Sequence, residues 1–339
     1  MINFGPNFEL KKHISASRLD AFCFCSAKYA ASYLYKLPDS GNPGSSRGSS
    51  AHLMLELLSS PKRKHLIPKI IEKDSIKPFP SLWRLLKTYA NKHNVGDQAN
   101  LGLIDFFVLT GLIWDQEPEG TVETLIEKEF NFEVIDKERG IRYKLLGFID
   151  KAYLIIRDGK KYVKIVDYKS SKDFFKKEKL ENNVQSIIYQ LVARYLFPEH
   201  ELLSFDFLFL KFRKNPIQST GIYSQELLNG FEHYLTDIQT QIENFSLANT
   251  NDVIAYLDPT KFRLCGTEKE GLKKDGTPLW ICPARKPMWY WVELDEKREI
   301  KKSYFENEKP EGIKVEKRFY SGCSFFFNKE GKPQQLSFQ

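Results

Sequence analysis

The sequence predicts an α/β (α+β) domain: a central mixed β-sheet flanked by helices, with a helical insert and an irregular C-terminal region. Two observations carry that expectation. One is order. A helical opening is followed by three strand-like runs, a helix, another β-rich run and a long amphipathic helix, which is the pattern of a sheet covered on its faces. The other is Asp158-Gly159, set between two apolar runs. A two-residue type I′ hairpin needs positive φ at both central positions, and this dipeptide supplies it.

Residues 15–35, SASRLDAFCFCSAKYAASYLY, read as a helix with Ser residues suited to an N-cap and capping-box spacing from Ser17 to Asp20. DSGNPGSSRGSS is a loop by composition, and AHLMLELLSS a second helix. WRLLKTYANKH and NLGLIDFFVLTGLIW are helices within an insert. TLIEKEFNFEVID, RYKLLGFIDKAYLII and KYVKIVDYK are strands. ENNVQSIIYQLVARYLF is a helix ended by Pro198, with an apolar stripe of Val184, Ile187, Ile188, Leu191 and Tyr195. LLSFDFLFLKFRK is β-rich, and SQELLNGFEHYLTDIQTQIENF is an amphipathic helix. The expected divisions are 1–60, 61–122 (insert or cap), 123–245 (core) and 246–339 (a cysteine- and aromatic-containing region).

With 339 residues and a net charge of +7, the chain has the composition of a globular protein, and its charge is compatible with a polyanionic partner without demanding one. PKRKH, KKYVK and KKEK add local positive potential, each read first as a solvated face. No run is long enough to span a bilayer and the first residues lack a signal-peptide core, so the expected location is the cytoplasm, with no membrane partner.

If Arg157 pairs with Lys160 across the turn, counting outward sets Asp150 directly opposite Asp167. Opposed residues have Cβ atoms about 4.5–5.5 Å apart, and Lys169 projects from the same face as Asp167. Two facing carboxylates repel unless a positive group lies between them, and a divalent cation such as Mg²⁺ or Mn²⁺ answers that need. The alternative is a solvated strand face in another register.

GFID with VDYKS resembles the signature of the PD-(D/E)xK nuclease superfamily: an acid ending one strand and D/E-x-K on the next. Three further stretches are similar to its RecB-like branch, which includes CRISPR-adaptation and phage exonucleases. They are the opening ISASRLDAFCFCSAKYAASYLYKLP, RGSSAHLMLELL with Gly48 and His52 at G-x-x-x-H spacing, and NNVQSIIYQLVARYLF with Gln185 and Tyr189 at Q-x-x-x-Y spacing. The resemblance implies a restriction-endonuclease-like core. It implies a Mg²⁺ or Mn²⁺ ion held by His52, Asp150, Asp167 and the backbone carbonyl of Tyr168, with Lys169 beside the attacking water and Gln185 and Tyr189 supporting the catalytic group.

Glu56, four residues after His52, is a candidate for a second ion, for orienting His52, or for a plain exposed position. Glu127 and Glu129, on the strand before the hairpin, are further candidates to approach the site, although their alternation with apolar neighbours favours an outward face. Some members of the branch carry an iron-sulfur cluster, which by analogy draws on Cys25, Cys265, Cys282 and Cys323. Zinc or buried thiols are the alternatives, because the spacing departs from the usual pattern.

The leading functional expectation is a metal-dependent deoxyribonuclease. It would be an exonuclease on DNA ends or single strands in recombination, repair, phage DNA processing or CRISPR adaptation, alongside a recombination, helicase or adaptation partner. The alternative is a catalytically silent nucleic-acid-binding or assembly subunit.

Overall fold

Both residues of the Asp158-Gly159 turn take left-handed backbone, at φ 49° and 74°, and the hairpin they close organises the first of two units, Gly41–Thr236. The second unit combines Met1–Ser40 with Asp237–Gln339. The structure, a computed structural model, describes residues 10–39, 42–244, 282, 284–323, 326–328 and 330–333.

In the Gly41–Thr236 unit the strands β1 (Thr121–Asp136), β2 (Ile141–Arg157), β3 (Lys160–Lys169), β4 (Glu201–Phe209) and β5 (Ile217–Thr220) lie in that order in one sheet. Only β3 and β4 run parallel, so the sheet is mixed as expected. The β2–β3 register follows the turn, with Arg157 opposite Lys160 and Lys151 opposite Val166.

One face carries α3 (Pro43–Ser59), α4 (Ile67–Glu72), α5 (Pro80–Lys92) and α6 (Gln98–Trp114). Met54, Leu55, Leu86, Phe107 and Val108 bury against Tyr153, Ile155, Val166 and Tyr168 of the sheet. The crossover from β3 to β4 runs through α7 (Lys177–Glu181) and α8 (Val184–Leu196). Tyr189 of α8 packs edge-on against Phe130 and Phe205. The stripe expected on α8 buries at Ile187, Ile188 and Leu191, whereas Tyr195 is exposed and Tyr189 takes a buried place.

In the other unit, α1 (Ala16–Phe24) is capped by Ser15, whose side chain accepts from the Arg18 N–H. The expected single helix over 15–35 is interrupted. Cys25 is extended, α2 (Ser26–Tyr29) follows, and Ala30–Leu34 closes as a wider π turn in which Tyr35 N–H donates to Ala30 O at 2.8 Å. The C-terminal region contains β6 (Met288–Leu294), β7 (Ile300–Phe305) and β8 (Val315–Tyr320) in the order β7-β6-β8, an antiparallel sheet. Aromatic residues on both of its faces hide the two-residue period from the sequence.

The loop expected over 39–50 is instead the start of α3 from Pro43 onward. Asn42 accepts from Ser45 N–H at 2.8 Å, and Pro43 occupies the first helical turn, where its missing donor costs nothing. Among the described residues no helix is long and apolar enough to cross a membrane.

The helix α9 (Gln225–Asn244) starts in the Gly41–Thr236 unit, and there Glu232 is fully buried. Its carboxylate accepts from Tyr143 Oη at 2.9 Å and from the Tyr195 hydroxyl, and pairs with Arg139 at 2.8 Å and Arg194 at 3.0 Å. Burial raises its carboxyl, but these donors outweigh burial and hold it below the ordinary range. A depressed carboxyl stabilises the fold above its unfolded pKa and loses that contribution on acidification. Glu232→Ala takes the acceptor from Tyr143 and Tyr195 and one ion partner each from Arg139 and Arg194, and is expected to cost about 1–3 kcal/mol in urea unfolding at neutral pH, with Glu232→Gln losing less.

Candidate metal centre

The β2–β3 ladder ends at Lys151 and Val166. Beyond that pair β2 stays with β1, through Ile149 and Lys128, while β3 stays with β4, through Asp167 and Phe207. The two strands therefore fork at Asp150 and Asp167. In the fork the Tyr168 N–H, which has no β2 carbonyl opposite it, donates to Asp150 Oδ2 at 2.8 Å. The side-chain carboxylate takes the place of the lost ladder acceptor.

Asp167 is almost fully buried and Asp150 half-buried. The Asp150 carboxyl is pushed well above the ordinary range, first by burial and then by the charge of Asp167; the Tyr168 N–H and Lys169 offset this in part, and Glu127 adds to it. The fork is a place where negative charge is costly and a cation is favoured.

His52 reaches the fork from α3. Its Nδ1 lies 3.5 Å from Asp150 Oδ2, and its ring meets Tyr168 edge-on. Burial lowers its pKa, and the nearby Asp167 and a hydrogen bond with the Tyr168 backbone oppose that shift. A neutral imidazole is the form that binds a metal. Gly48 lets α3 come this close: a Cβ there would lie 2.4 Å from Ser170 Oγ and 3.0 Å from Ser170 Cβ.

The third group is one whose position the sequence pattern misjudges. Glu129 is exposed, as expected, but Glu127 is not outward. It stands across from Asp150, between the pairs Ile126–Lys151 and Lys128–Ile149, with φ at 46°. A left-handed non-glycine residue inside a strand is a strained conformation, and strain of this kind concentrates at functional sites. Ligand atoms of His52, Glu127 and Asp150 lie within 4.8 Å of one another. Glu56 lines the same cavity of about 430 Å³ and helps raise the Glu127 carboxyl, after burial.

On the other side of the fork, Lys169 Nζ is 2.6 Å from Asp167 Oδ2. Gln185 spans the pair: its Oε1 accepts from Lys169 at 2.6 Å and its Nε2 donates to Asp167 Oδ1 at 2.6 Å and to Tyr189 Oη at 3.2 Å. Tyr189 in turn donates to Phe148 O at 2.8 Å. Gln185 and Tyr189 thus bear on the side chains of the D-x-K motif, and Tyr189 is buried. Behind the fork, buried Asp115 fixes the Tyr168 side chain through its hydroxyl and also holds Lys151 at 2.7 Å and Tyr153 Oη at 2.8 Å.

The arrangement is a carboxylate fork with an imidazole on one side and a held lysine on the other. The family model described as the PD-(D/E)XK nuclease superfamily matches residues 13–265. The chain belongs to the PD-(D/E)XK nuclease superfamily. No curated relative matches it. The matched span of this superfamily member contains every group in the fork and ends before β6–β8.

The cysteines lie in the other unit. Cys25 and Cys323 are buried and Cys282 half-buried. The Tyr320 hydroxyl is pushed well above its ordinary value, first by burial and then by Cys323, Tyr35, Cys282 and Cys25, so three thiols lie within electrostatic reach of one hydroxyl. Cys265 falls outside the described residues.

Two measurements test this geometry. Gly48→Ala is expected to push α3 off Ser170 and to lower nuclease activity at least tenfold, with Ser170→Gly in the same chain restoring much of it. The second concerns charge. Because the Asp150 carboxyl is raised in the folded state, the metal-free protein loses stability from it as pH climbs from about 4 through the raised value. Asp150→Asn keeps an acceptor for Tyr168 N–H, so the metal-free variant is expected to melt higher at neutral pH, by about 2–4 °C per kcal/mol relieved. Mn²⁺ is expected to raise the melting temperature of the wild type and leave that of the variant unchanged.

Proposed function

We propose that this chain is a RecB-like, metal-dependent deoxyribonuclease that hydrolyses phosphodiester bonds as an exonuclease on DNA ends or single strands. The observation that carries the reading is the meeting of His52, Glu127 and Asp150 ligand atoms within 4.8 Å, beside a Lys169 held by Asp167 and Gln185. The donor set suits a hard divalent ion with one nitrogen ligand, Mn²⁺ at least as well as Mg²⁺. Asp167 and the Tyr168 carbonyl complete it from β3, and Glu56 stands in the same cavity for a second ion.

An ion bound there supplies Lewis-acid polarisation of the phosphate and a water acidic enough to ionise near neutrality. The chain's own residues do the rest. Asp150 and Asp167 would hold the ion, His52 would supply its nitrogen ligand, and Lys169 aligns the attacking water and neutralises charge gathering on the phosphate oxygens. Gln185 keeps Lys169 and Asp167 in one geometry and acts as a positioning residue.

Recombination and repair, phage DNA processing, and spacer processing in CRISPR adaptation are the settings that suit such an activity, beside a helicase or adaptation partner. The cysteine group is part of the same proposal: Cys25, Cys282 and Cys323, with Cys265, bind an iron-sulfur cluster. Anaerobic purification is expected to yield a coloured protein with iron and sulfide, lost in Cys323→Ser; zinc alone, or no metal, would contradict this.

The direct test uses end-labelled single- and double-stranded DNA with Mn²⁺ or Mg²⁺. Wild type is expected to cut, and Asp150→Ala and Lys169→Ala to fall by about 10²–10³-fold, the range of losses for groups that stabilise transition-state charge. Unchanged cutting by Asp150→Ala, or DNA binding with no cutting under any metal, would refute the assignment.

A further inference from the structure

Next to the fork, and sharing Ser45 and Ser170 with its cavity, runs an open groove of about 880 Å³. The two differ sharply in charge. The fork's cavity is lined by Glu56, Glu127 and Asp150. The groove is lined by Lys169, Lys172, Lys176, Lys179 and Lys211, with Asp173 as the single acid among the described lining residues.

Three of these lysines, Lys172, Lys176 and Lys179, come from the segment that follows the D-x-K strand. They include the basic cluster whose simplest sequence reading is a solvated face. Lys211 arrives from the end of β4 and is half-buried. Its ammonium is held below its ordinary pKa, first by burial and then by Arg47 and Lys172, so positive charge has been gathered here with too little acid to balance it. Such a concentration is unfavourable for the folded protein alone and favourable only with an anion present.

We propose that this groove holds the phosphate backbone of a nucleic-acid strand on one side of the cleaved bond, gripping it without reading its bases. The inference rests on the nuclease reading above and adds the path and sequence-indifference of the substrate. Lysines act as point charges on phosphates, whereas base reading needs forked or bidentate side chains. Among the groove's described residues only Asn42 and Asp173 offer forked side chains; Asn42 Oδ1 is already taken by Ser45 N–H, and Asp173 is a lone acid among five lysines. Phe174, exposed in the groove and stacked on Phe212 at 4.1 Å, offers a flat ring on which any base can stack. The scissile phosphate would sit where the acidic cavity and the groove meet, at Ser45 and Ser170. The divalent ion then balances one side and the lysines the other.

The test is binding of a fluorescent oligothymidine and of a mixed-sequence oligonucleotide, by anisotropy, in EDTA across a salt series. The proteins are wild type, Lys172→Ala/Lys179→Ala/Lys211→Ala, and the matching triple Arg variant. Loss of three phosphate contacts on a single strand should flatten the slope of log K against log salt by about 2, at about 0.7 per contact. The expected result is at least tenfold weaker binding by the Ala triple at low salt, near-wild-type binding by the Arg triple, and equal affinity for the two sequences.

Equal affinity and slope for wild type and the Ala triple would overturn the groove, as would failure of wild type to bind. A tenfold preference between the two sequences would overturn its indifference to bases. Melting temperatures of the triples within a few degrees of wild type exclude misfolding. Cutting assays on the same wild type separate the two claims: binding lost in the Ala triple while wild type never cuts would leave the groove and remove the nuclease.

Discussion

The organising constraint in this molecule is the divergence of two neighbouring strands. The β2–β3 ladder stops where Asp150 faces Asp167, and the backbone N–H of Tyr168 turns to a side-chain carboxylate instead of a strand carbonyl. That substitution brings buried negative charge into the centre of the sheet. The neighbouring structure answers it. Lys169 and Gln185 bind Asp167, an imidazole comes in from α3, and Asp115, just after α6, anchors the Tyr168 hydroxyl. A side chain at position 48 would crowd Ser170 and force it or α3 to shift.

Buried like charges oppose folding, so the unit that carries them has to be stable for other reasons. The insert helices bury an apolar cluster against one face of the sheet. Glu232, with two arginines and two tyrosines, is the counter-example to the fork: a buried carboxylate that is fully compensated, so that its carboxyl is lowered, not raised. The same side-chain chemistry is compensated in one place and left short of donors in the other. The difference lies in how many donors surround it. Asp150 has one backbone N–H and a distant lysine against two acidic neighbours.

Much of this was legible before any coordinates. Asp-Gly sets the turn, the turn sets the register, and the register places Asp150, Asp167 and Lys169 without reference to the rest of the chain. Gln185 and Tyr189 were readable through the Q-x-x-x-Y resemblance, which helical spacing makes consistent by setting them on one side of α8, although neither says that Gln185 joins Asp167 to Lys169. Glu127 was readable only as one of two candidates, beside Glu129, with the outward face favoured. Alternation along β1 points it outward, and only a left-handed backbone at that residue turns the geometry, which no propensity of glutamate announces. The start of α3 was hidden because serine and glycine look like loop until an N-cap and a close approach to Ser170 are known. The break at Cys25 and the β6–β8 sheet depend on packing partners distant in sequence.

The account stands on one cation site in the strand fork. It is tested most directly by diffraction from crystals soaked in Mn²⁺, using the ion's anomalous signal. The expected result is a peak within coordination distance of His52, Glu127 and Asp150, with Asp167 and the Tyr168 carbonyl beside it. A saturated crystal with no peak in the fork, or with its strongest peak elsewhere, would contradict the account.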